Sequence, residues 1–391
     1  MRIVQVHNRY RHHGGEDAVL ETERDLLIGH GHEVHQYLKD NRLIDEDSNV
    51  ATALSGIWSN SVYREFRTLL RRLRPSVVHV HNTMPLISPS VYYASAAENV
   101  PVIQTLHNYR LLCIGGQFLR DNRICEDCIN TKCFAPGFRH KCYRQNLAAT
   151  SAVGAMLVTH WGLSTWRSKI TRYIALTAFA RDKFICGGLP PAKISVKPNF
   201  MADPGYRPWS RAGRSGALYV GRLTAEKGIQ QLLSAWSEVD YPLDVVGDGP
   251  MLDELRRVAP STVRFHGHLA KPDVMALMQK AAFLAVPSIC YETFSLVLME
   301  AFATGLPVVA SRIGAMAEIV RDGDTGILFN PGDIDDMREK IALAVGEENL
   351  LRMVSQNARK RYEDNFTPGR NYEMLKSIYE QAIADTATSA A

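Results

Sequence analysis

Short, β-rich apolar runs recur along the first half of the chain, and most of them end in a polar loop. RIVQVHN (2–8) leads into HHGGED (12–17), which opens an amphipathic stretch from Ala18 to Gly29, and HEVHQYL (32–38) follows. PSVVHVHN (75–82), VPVIQTLHN (100–108) and TRYIALT (171–177) repeat the form, with helical patterns between them. From Gly216 the alternation restarts. ALYVGRLTAEKG (217–228) precedes a helix predicted over Ile229–Val239, where Ile229, Leu232, Leu233 and Trp236 fall on one face. PLDVVGDGP, TVRFHGHL, AFLAVPS and LPVVAS continue the series. Strands alternating with helices imply a parallel sheet covered on both faces. The Pro- and Gly-rich stretch 197–216 lacks periodicity and is placed as the linker. The expected architecture is α/β, with two doubly wound sheets facing across a cleft. No fixed repeat period appears, which excludes a solenoid.

Length agrees with two domains: 391 residues exceed one ordinary core. The net charge of +4 is too small to argue for nucleic acid. It hides a split, because residues 1–200 carry 25 Lys and Arg against 16 Asp and Glu, while the remainder is net acidic. Opposite characters suggest two different ligands or surfaces. MRIVQVHNRY reads as a strand and not as a signal peptide, so the expected location is cytoplasmic. The nearest approach to a membrane segment is 147–163, which Thr, Ser and His interrupt; it reads as a buried helix, with a membrane-dipping helix as the alternative. The amphipathic stretch Val62–Arg74 carries five arginines and reads as a solvated face, with contact to anionic lipid at the inner face of the plasma membrane as the alternative.

The second half contains an anion site. Arg222 and Lys227 lie on the strand-to-helix turn GRLTAEKG, with Gly221 and Gly228 allowing close backbone approach. In PSICYETFSLVLME (287–300), Thr293, Phe294 and Ser295 are expected to open a helix whose free N–H groups bind an anion. Two cations and a helix end can hold a diphosphate and stabilise it as a leaving group. Glu300 is placed to accept from ribose hydroxyls, and Glu292 to reach a sugar beyond the phosphates. The competing reading is a salt bridge between these acids and bases.

These residues resemble those of the retaining glycosyltransferases of family 4, with the GT-B fold. The resemblance rests on GR-x4-KG, the E-x7-E from Glu292 to Glu300, the VGDGP turn (246–250) and ATGLPVVASRIGAMAE (303–318), and it covers nearly the whole chain. It implies that Arg222 and Lys227 neutralise the donor diphosphate, Glu300 holds the ribose and Glu292 holds the transferred sugar. It sets His268 and Leu269 against the base, Gly14 and Gly15 in the first-strand glycine loop, and His107 near the donor sugar. It also implies that an acceptor-binding domain, 1–200, is completed by a crossover helix at about 367–391, with a donor-binding domain at 201–366. Position 295 is Ser where relatives often have Gly. The function implied is transfer of a hexose from a UDP- or GDP-sugar to a lipid-linked or polysaccharide acceptor in bacterial exopolysaccharide or cell-surface synthesis. A GT-B-like sugar-nucleotide 2-epimerase, or an inactive transferase fold serving as a zinc-knuckle module, are the alternatives.

Retention by double displacement would need a carboxylate nucleophile, and the first-domain loops offer only Glu16 and Asp17. Front-face attack is therefore favoured, with the leaving phosphate taking the acceptor proton and His107 orienting the reacting centre. His79 and His81 are read as structural. Asp-x-Asp triplets begin at Asp45, Asp322 and Asp333, each among turn or helix-start residues. No metal or other cofactor is thus expected in catalysis.

Five of the seven cysteines fall between 113 and 142. The C-x2-C of Cys125 and Cys128 favours structural zinc over disulfides in a cytosolic protein. Most of the family lacks this insertion. Resemblance to a subset associated with exopolysaccharide clusters implies the tetrad Cys113, Cys125, Cys128 and Cys142. Cys133 in place of Cys113 is the runner-up, and free thiols are the remaining reading. Basic residues around the knuckle suit an anionic acceptor, and the lack of interleaved aromatics argues against nucleic acid.

Overall fold

The computed structural model describes residues 1–10, 14–43 and 54–390. It divides into one unit of Met1–Phe118, Glu126–Pro198 and Asn371–Ala391, and a second of Leu119–Cys125 and Asn199–Arg370.

In the first unit, β1 (Arg2–Arg9), β2 (Glu33–Asp40), β3 (Val77–Asn82) and β4 (Val102–Thr105) belong to one sheet. The short antiparallel hairpin β5 (Leu119–Arg120) and β6 (Arg123–Ile124) interrupts the chain before β7 (Arg172–Ala175) and β8 (Ile194–Val196) complete that sheet. The order is β2-β1-β3-β4-β7-β8, all parallel. Val77, Val78 and Val80 are fully buried, as expected for a strand covered on both faces. Buried polar residues accompany them: Gln5, His7 and Asn8 on β1, and His79 and His81 on β3. The chain order reverses between β1 and β3, so the carboxyl ends of those strands are the expected binding edge.

The second unit repeats the plan with β9 (Ala217–Val220), β10 (Leu243–Val246), β11 (Val263–Gly267), β12 (Phe283–Val286), β13 (Val308–Ser311) and β14 (Ile327–Phe329). Its order is β11-β10-β9-β12-β13-β14, again parallel, with the reversal between β9 and β12. The two loops that leave those strands are GRLTAEKG and PSICYETF. The core packs Ile229, Leu232, Leu233 and Trp236 of the helix Ile229–Trp236 onto Tyr219, Val245 and Phe283. That helix ends at Trp236 rather than at Val239. Its indole Nε1 donates to the Tyr241 carbonyl at 2.8 Å.

The structure adds detail to four of these expectations. The first helix runs Gly15–Gly29 and starts three residues before Ala18, because the Asp17 carboxylate accepts the Gly14 N–H at 2.9 Å and caps the earlier turn. The linker is not loose: Trp209 is buried and donates to the Ala282 carbonyl, and buried Arg214 donates to the carbonyls of Met278 and Thr304. The cysteine-rich insertion is not all one body with the first unit, since Leu119–Cys125 groups with the second and its hairpin joins neither large sheet. The unit boundaries also differ by a few residues, falling at Pro198 and Asn371. The last helix is Pro368–Ala390, and within the first unit it buries Leu375, Ile378, Tyr379 and Ala382. Among the described residues, no helix is long and apolar enough to cross a membrane. The helix Leu147–Gly162 buries Val153, Met156 and Leu157 and leaves Val158 exposed.

Candidate functional site

The second unit builds its site from backbone geometry. Gly228 has φ +70°, and a Cβ there would lie 1.9 Å from the Pro287 carbonyl oxygen, so only glycine lets the two loops meet. Gly247 of the VGDGP turn is equally constrained, with φ +141° and the Gly221 oxygen 1.9 Å from a Cβ. The Ile289 N–H donates to the Glu226 carbonyl at 3.0 Å and ties the β12 loop to the β9 loop. The Tyr219 hydroxyl donates to the Arg222 carbonyl at 2.9 Å. Arg222 is exposed.

Lys227 Nζ donates to Glu292 Oε1 at 2.9 Å, and Ser288 Oγ donates to the same oxygen at 2.7 Å. Burial pushes the Lys227 ammonium down, but Glu292 outweighs it and holds the pKa above the ordinary lysine value. One expected cation and one expected acid are thus brought together as a pair, the arrangement foreseen in the salt-bridge reading. Thr293, Phe294 and Ser295 are buried, and they precede the helix Leu296–Thr304 rather than forming its first turn. Ser295 is the N-cap residue and makes no side-chain cap, while the opening N–H groups of any helix lack an intrahelical acceptor. Uncapped N–H groups of this kind are what an anion site would need, and Glu292, paired with Lys227, lies in the preceding loop.

Glu300, in the second turn of that helix, is buried and bonded to Lys271, a residue the sequence reading did not single out. Its only local signal is its place at the start of the helix Lys271–Met278, directly after FHGHLA. Burial raises the Glu300 carboxyl above its ordinary range and Lys271 offsets part of the rise. His268 is exposed and Leu269 half-buried in the loop after β11.

In the first unit, Gly14 and Gly15 stand at the start of the first helix. Gly14 has extended backbone, φ −131° and ψ −179°, and its N–H is committed to Asp17. Asp17 also contacts His7 Nε2 at 3.0 Å. Glu16 accepts from the Tyr10 hydroxyl and from Asn108 Nδ2, each at 2.9 Å. Burial raises its carboxyl against the effect of those donors. Both candidate carboxylates are therefore already held. His107 lies two residues beyond β4, half-buried, with Nε2 2.9 Å from His81 Nδ1. A pocket at the ends of β3 and β4 is lined by His81, Asn82, Met84, His107, Asn108 and Arg110 among others. His81, read from sequence as purely structural, touches the candidate catalytic histidine.

The cysteines are all free thiols. Cys113, Cys125, Cys128 and Cys142 are half-buried, and Cys133 is exposed with its thiol donating to Thr131 Oγ1 at 3.4 Å. Cys113 and Cys142 flank Gly115, whose Cβ position lies 3.8 Å from Cys113 Sγ and 3.9 Å from Cys142 Cβ. Two of the Asp-x-Asp triplets are committed to structure. Asp322 pairs with Arg312 and accepts the Leu328 N–H, while Asp333 caps the helix Ile334–Gly346. The triplet at Asp45 lies outside the described residues.

Comparison with known proteins follows the same division. Residues 29–199 match the model described as glycosyl transferase 4-like domain, and residues 211–361 match glycosyl transferases group 1. An uncharacterized glycosyltransferase of Methanocaldococcus jannaschii is 29% identical over 168 residues, covering 42% of this chain and 47% of that protein. The glycogen synthase of Mycobacterium tuberculosis is 34% identical over 167 residues, covering 40% of each. The chain thus spans less than half the length of these two relatives. HepE of Anabaena, solved in complex with UDP-glucose, superposes with a TM-score of 0.66 at 18% identity and 100% coverage of both chains.

Proposed function

The two units carry the paired Rossmann-like domains of a GT-B glycosyltransferase, and we propose that the chain transfers a hexose, with retention, from a UDP- or GDP-sugar to a lipid-linked or saccharide acceptor in bacterial cell-surface or exopolysaccharide synthesis. The observation that carries the reading is the anion edge of the second unit. Lys227 pairs with Glu292, four residues before the helix Leu296–Thr304, whose start has no side-chain cap, and Glu300 is buried in that helix's second turn. HepE, a protein of like fold, is described with UDP and glucose bound, which supports a nucleotide-sugar donor.

In this mechanism Arg222, Lys227 and the helix N-terminus neutralise the diphosphate as its bond to the anomeric carbon lengthens. Glu300 accepts from the ribose, Glu292 from the transferred sugar, and His268 and Leu269 lie against the base. Thr293, Phe294 and Ser295 shape the phosphate pocket, and Gly14 and Gly15 supply close backbone in the first unit. His107 orients the sugar. The acceptor attacks from the face the phosphate leaves, and the phosphate oxygen takes its proton. With Asp17 committed to Gly14 and His7, and Glu16 to Tyr10 and Asn108, a covalent intermediate has no ready carboxylate nucleophile among the described residues of these loops. Catalysis without a metal is consistent with the structural engagement of Asp322 and Asp333.

Structural zinc is proposed at Cys113, Cys125, Cys128 and Cys142. Cys113 and Cys142 both border Gly115, and the exposed Cys133 is the weaker candidate. The helix Asn60–Leu73 presents Arg64, Arg71 and Arg72 to solvent while Val62, Phe66 and Leu70 are buried. It therefore offers charge and not apolar insertion to an anionic membrane, and Glu98 neutralises part of that charge through Arg67 and Arg71.

A thermal-shift panel of UDP-, GDP- and ADP-sugars, with and without chelator, tests the donor. Stabilisation by one of them, followed by an axial anomeric product in NMR from an α-linked donor, is expected. No stabilisation by any nucleotide sugar would refute the transferase reading, and an epimerised donor would replace it with the epimerase.

A further inference from the structure

Behind His107 lies a chain of buried polar groups drawn from separate segments of the first unit. Glu23 comes from the first helix, His79 and His81 from one face of β3, Lys197 from the end of β8 and Tyr379 from the last helix. Glu23 and Lys197 are each 1% exposed. Glu23 Oε2 accepts from Lys197 Nζ at 3.3 Å, and Glu23 Oε1 lies 2.9 Å from His79 Nδ1 and 3.5 Å from His81 Nε2. The other nitrogen of His81, Nδ1, faces His107 Nε2 at 2.9 Å. Carboxylate, first imidazole and second imidazole thus follow one another, the first contact being a 3.5 Å approach and not a full hydrogen bond.

Glu23, His79 and His81 also have ligand atoms within 4.8 Å of one another, a spacing a metal ion could use. Their partners point elsewhere. An ammonium already sits on the carboxylate, Tyr379 Oη lies 2.8 Å from His79 Nδ1, and Thr105 Oγ1 lies 2.8 Å from His79 Nε2. This donor set is organised around protons.

We propose that Glu23, acting through His81, fixes the tautomer of His107, with the proton on Nε2 and a bare Nδ1 that accepts a hydrogen bond. The argument is a count of protons. A neutral imidazole carries one N–H. On His81 that proton belongs on Nε2, because a bare Nε2 would set its lone pair against a buried carboxylate oxygen. His81 Nδ1 is then an acceptor, and the 2.9 Å contact with His107 needs a proton from His107 Nε2. His107 Nδ1 is left unprotonated. A carboxylate fixing the tautomer of a histidine is the familiar second half of a catalytic triad; here it acts through an intervening ring.

The protonation states support the count. Burial opposes ionisation of Glu23, but His79 and Lys197 outweigh it and hold the carboxyl well below its ordinary range. Burial takes His81 down to about 3, and burial with His81 and His7 nearby takes His107 well below its ordinary value. Both rings are neutral near pH 7. The functional meaning rests on the transferase reading: a His107 of this tautomer accepts a hydrogen bond from a sugar hydroxyl and favours donors that carry a hydroxyl at that point. Glu23 and His81 are positioning residues.

The test is long-range proton–nitrogen NMR of the full chain, ligand-free, with nitrogen-15 in the histidine rings and His107 assigned by the loss of its signals in H107Q. The expected wild-type pattern is Nε2–H for both His81 and His107. In E23Q, Lys197 holds the amide oxygen at the Oε2 position, which turns the NH2 toward His79 and His81. The expected result is reversal of both rings to Nδ1–H. A wild-type His107 protonated on Nδ1 overturns the proposal, as does a folded E23Q with both tautomers unchanged. If E23Q does not fold, the wild-type spectrum decides alone. No donor is present, so failure here is separate from failure of the donor panel.

Discussion

The Lys227–Glu292 pair makes opposite demands on two single substitutions. Its 2.9 Å separation corresponds to a gross attraction of about 6 kcal/mol at an effective dielectric of 20, most of it offset by desolvation. The net value of a charge-assisted hydrogen bond is about 1.5–3 kcal/mol. A nucleoside diphosphate must draw Lys227 away from Glu292, whose Oε1 keeps Ser288 as a donor at 2.7 Å. In E292Q the neutral amide holds the lysine less tightly. Relief of about 1 kcal/mol should tighten UDP binding about fivefold, while transfer falls because the sugar loses a carboxylate acceptor. In K227A the phosphate loses a charged donor, and UDP should bind roughly 10- to 150-fold more weakly. Isothermal titration with UDP, which lacks the sugar, reads both directions without turnover. If the two variants shift affinity in the same direction, or if K227A stays within about twofold of wild type, Lys227 is only half of a salt bridge and the phosphate assignment is wrong.

Four further substitutions probe the rest of the site and the cysteine cluster. UDP affinity should fall as pH drops through the raised value of Glu300, because ribose hydroxyls need the ionised carboxylate; K271M should move that fall to higher pH in titrations between pH 5 and 8. The sign for folding agrees: a carboxyl raised in the folded state favours stability at low pH and loses it as pH rises, so K271M should melt lower than wild type at pH 8 by more than at pH 5. G228A combines a left-handed φ with a 1.9 Å approach to Pro287 and should lose about 3 kcal/mol or more in denaturant unfolding; a loss under about 1 kcal/mol would mean that the loops separate easily. C128S should release zinc detected by elemental analysis and lower the melting temperature, whereas C133S should retain both. Less than one zinc per chain in the wild type would end the knuckle proposal.

What could be read from sequence followed how locally the chemistry is written. GRLTAEKG, VGDGP and the stretch from Glu292 to Glu300 are contiguous, and each glycine or cation acts on a loop beside its own strand. Both parallel sheets were legible for the same reason, since apolar runs and intervening helices alternate at short range. Lys271 escaped because AKPDV reads as an ordinary helix start, and nothing local ties it to Glu300 29 positions away. The cluster behind His107 was less accessible still. Lys197 meets Glu23 across 174 positions and Tyr379 meets His79 across 300, so periodicity registers each residue only as a polar interruption. The grouping of Leu119–Cys125 with the second unit was likewise invisible to a pattern that treats 113–142 as one cysteine-rich block.

The two units hold their functional groups by different physical means. In the second, backbone contact does the positioning: Gly228 and Gly247 remove side-chain bulk where carbonyls approach, and Tyr219 and Ile289 fasten the loop that carries Arg222 and Lys227. Arg222 is exposed and Lys227 half-buried, and under the proposed function an incoming diphosphate would exchange for Glu292. In the first unit, position comes from buried charge. Leaving either Glu23 or Lys197 without the other would cost about 3–5 kcal/mol, so the cluster behaves as a single set of protons and charges. A neutral His107 backed by that set cannot readily take up a proton, which suits a residue that orients a sugar and leaves proton transfer to the departing phosphate. The +9 excess of the first 200 residues therefore says little about this interior, where the charges are matched; it belongs to exposed groups such as Arg64 and Arg72.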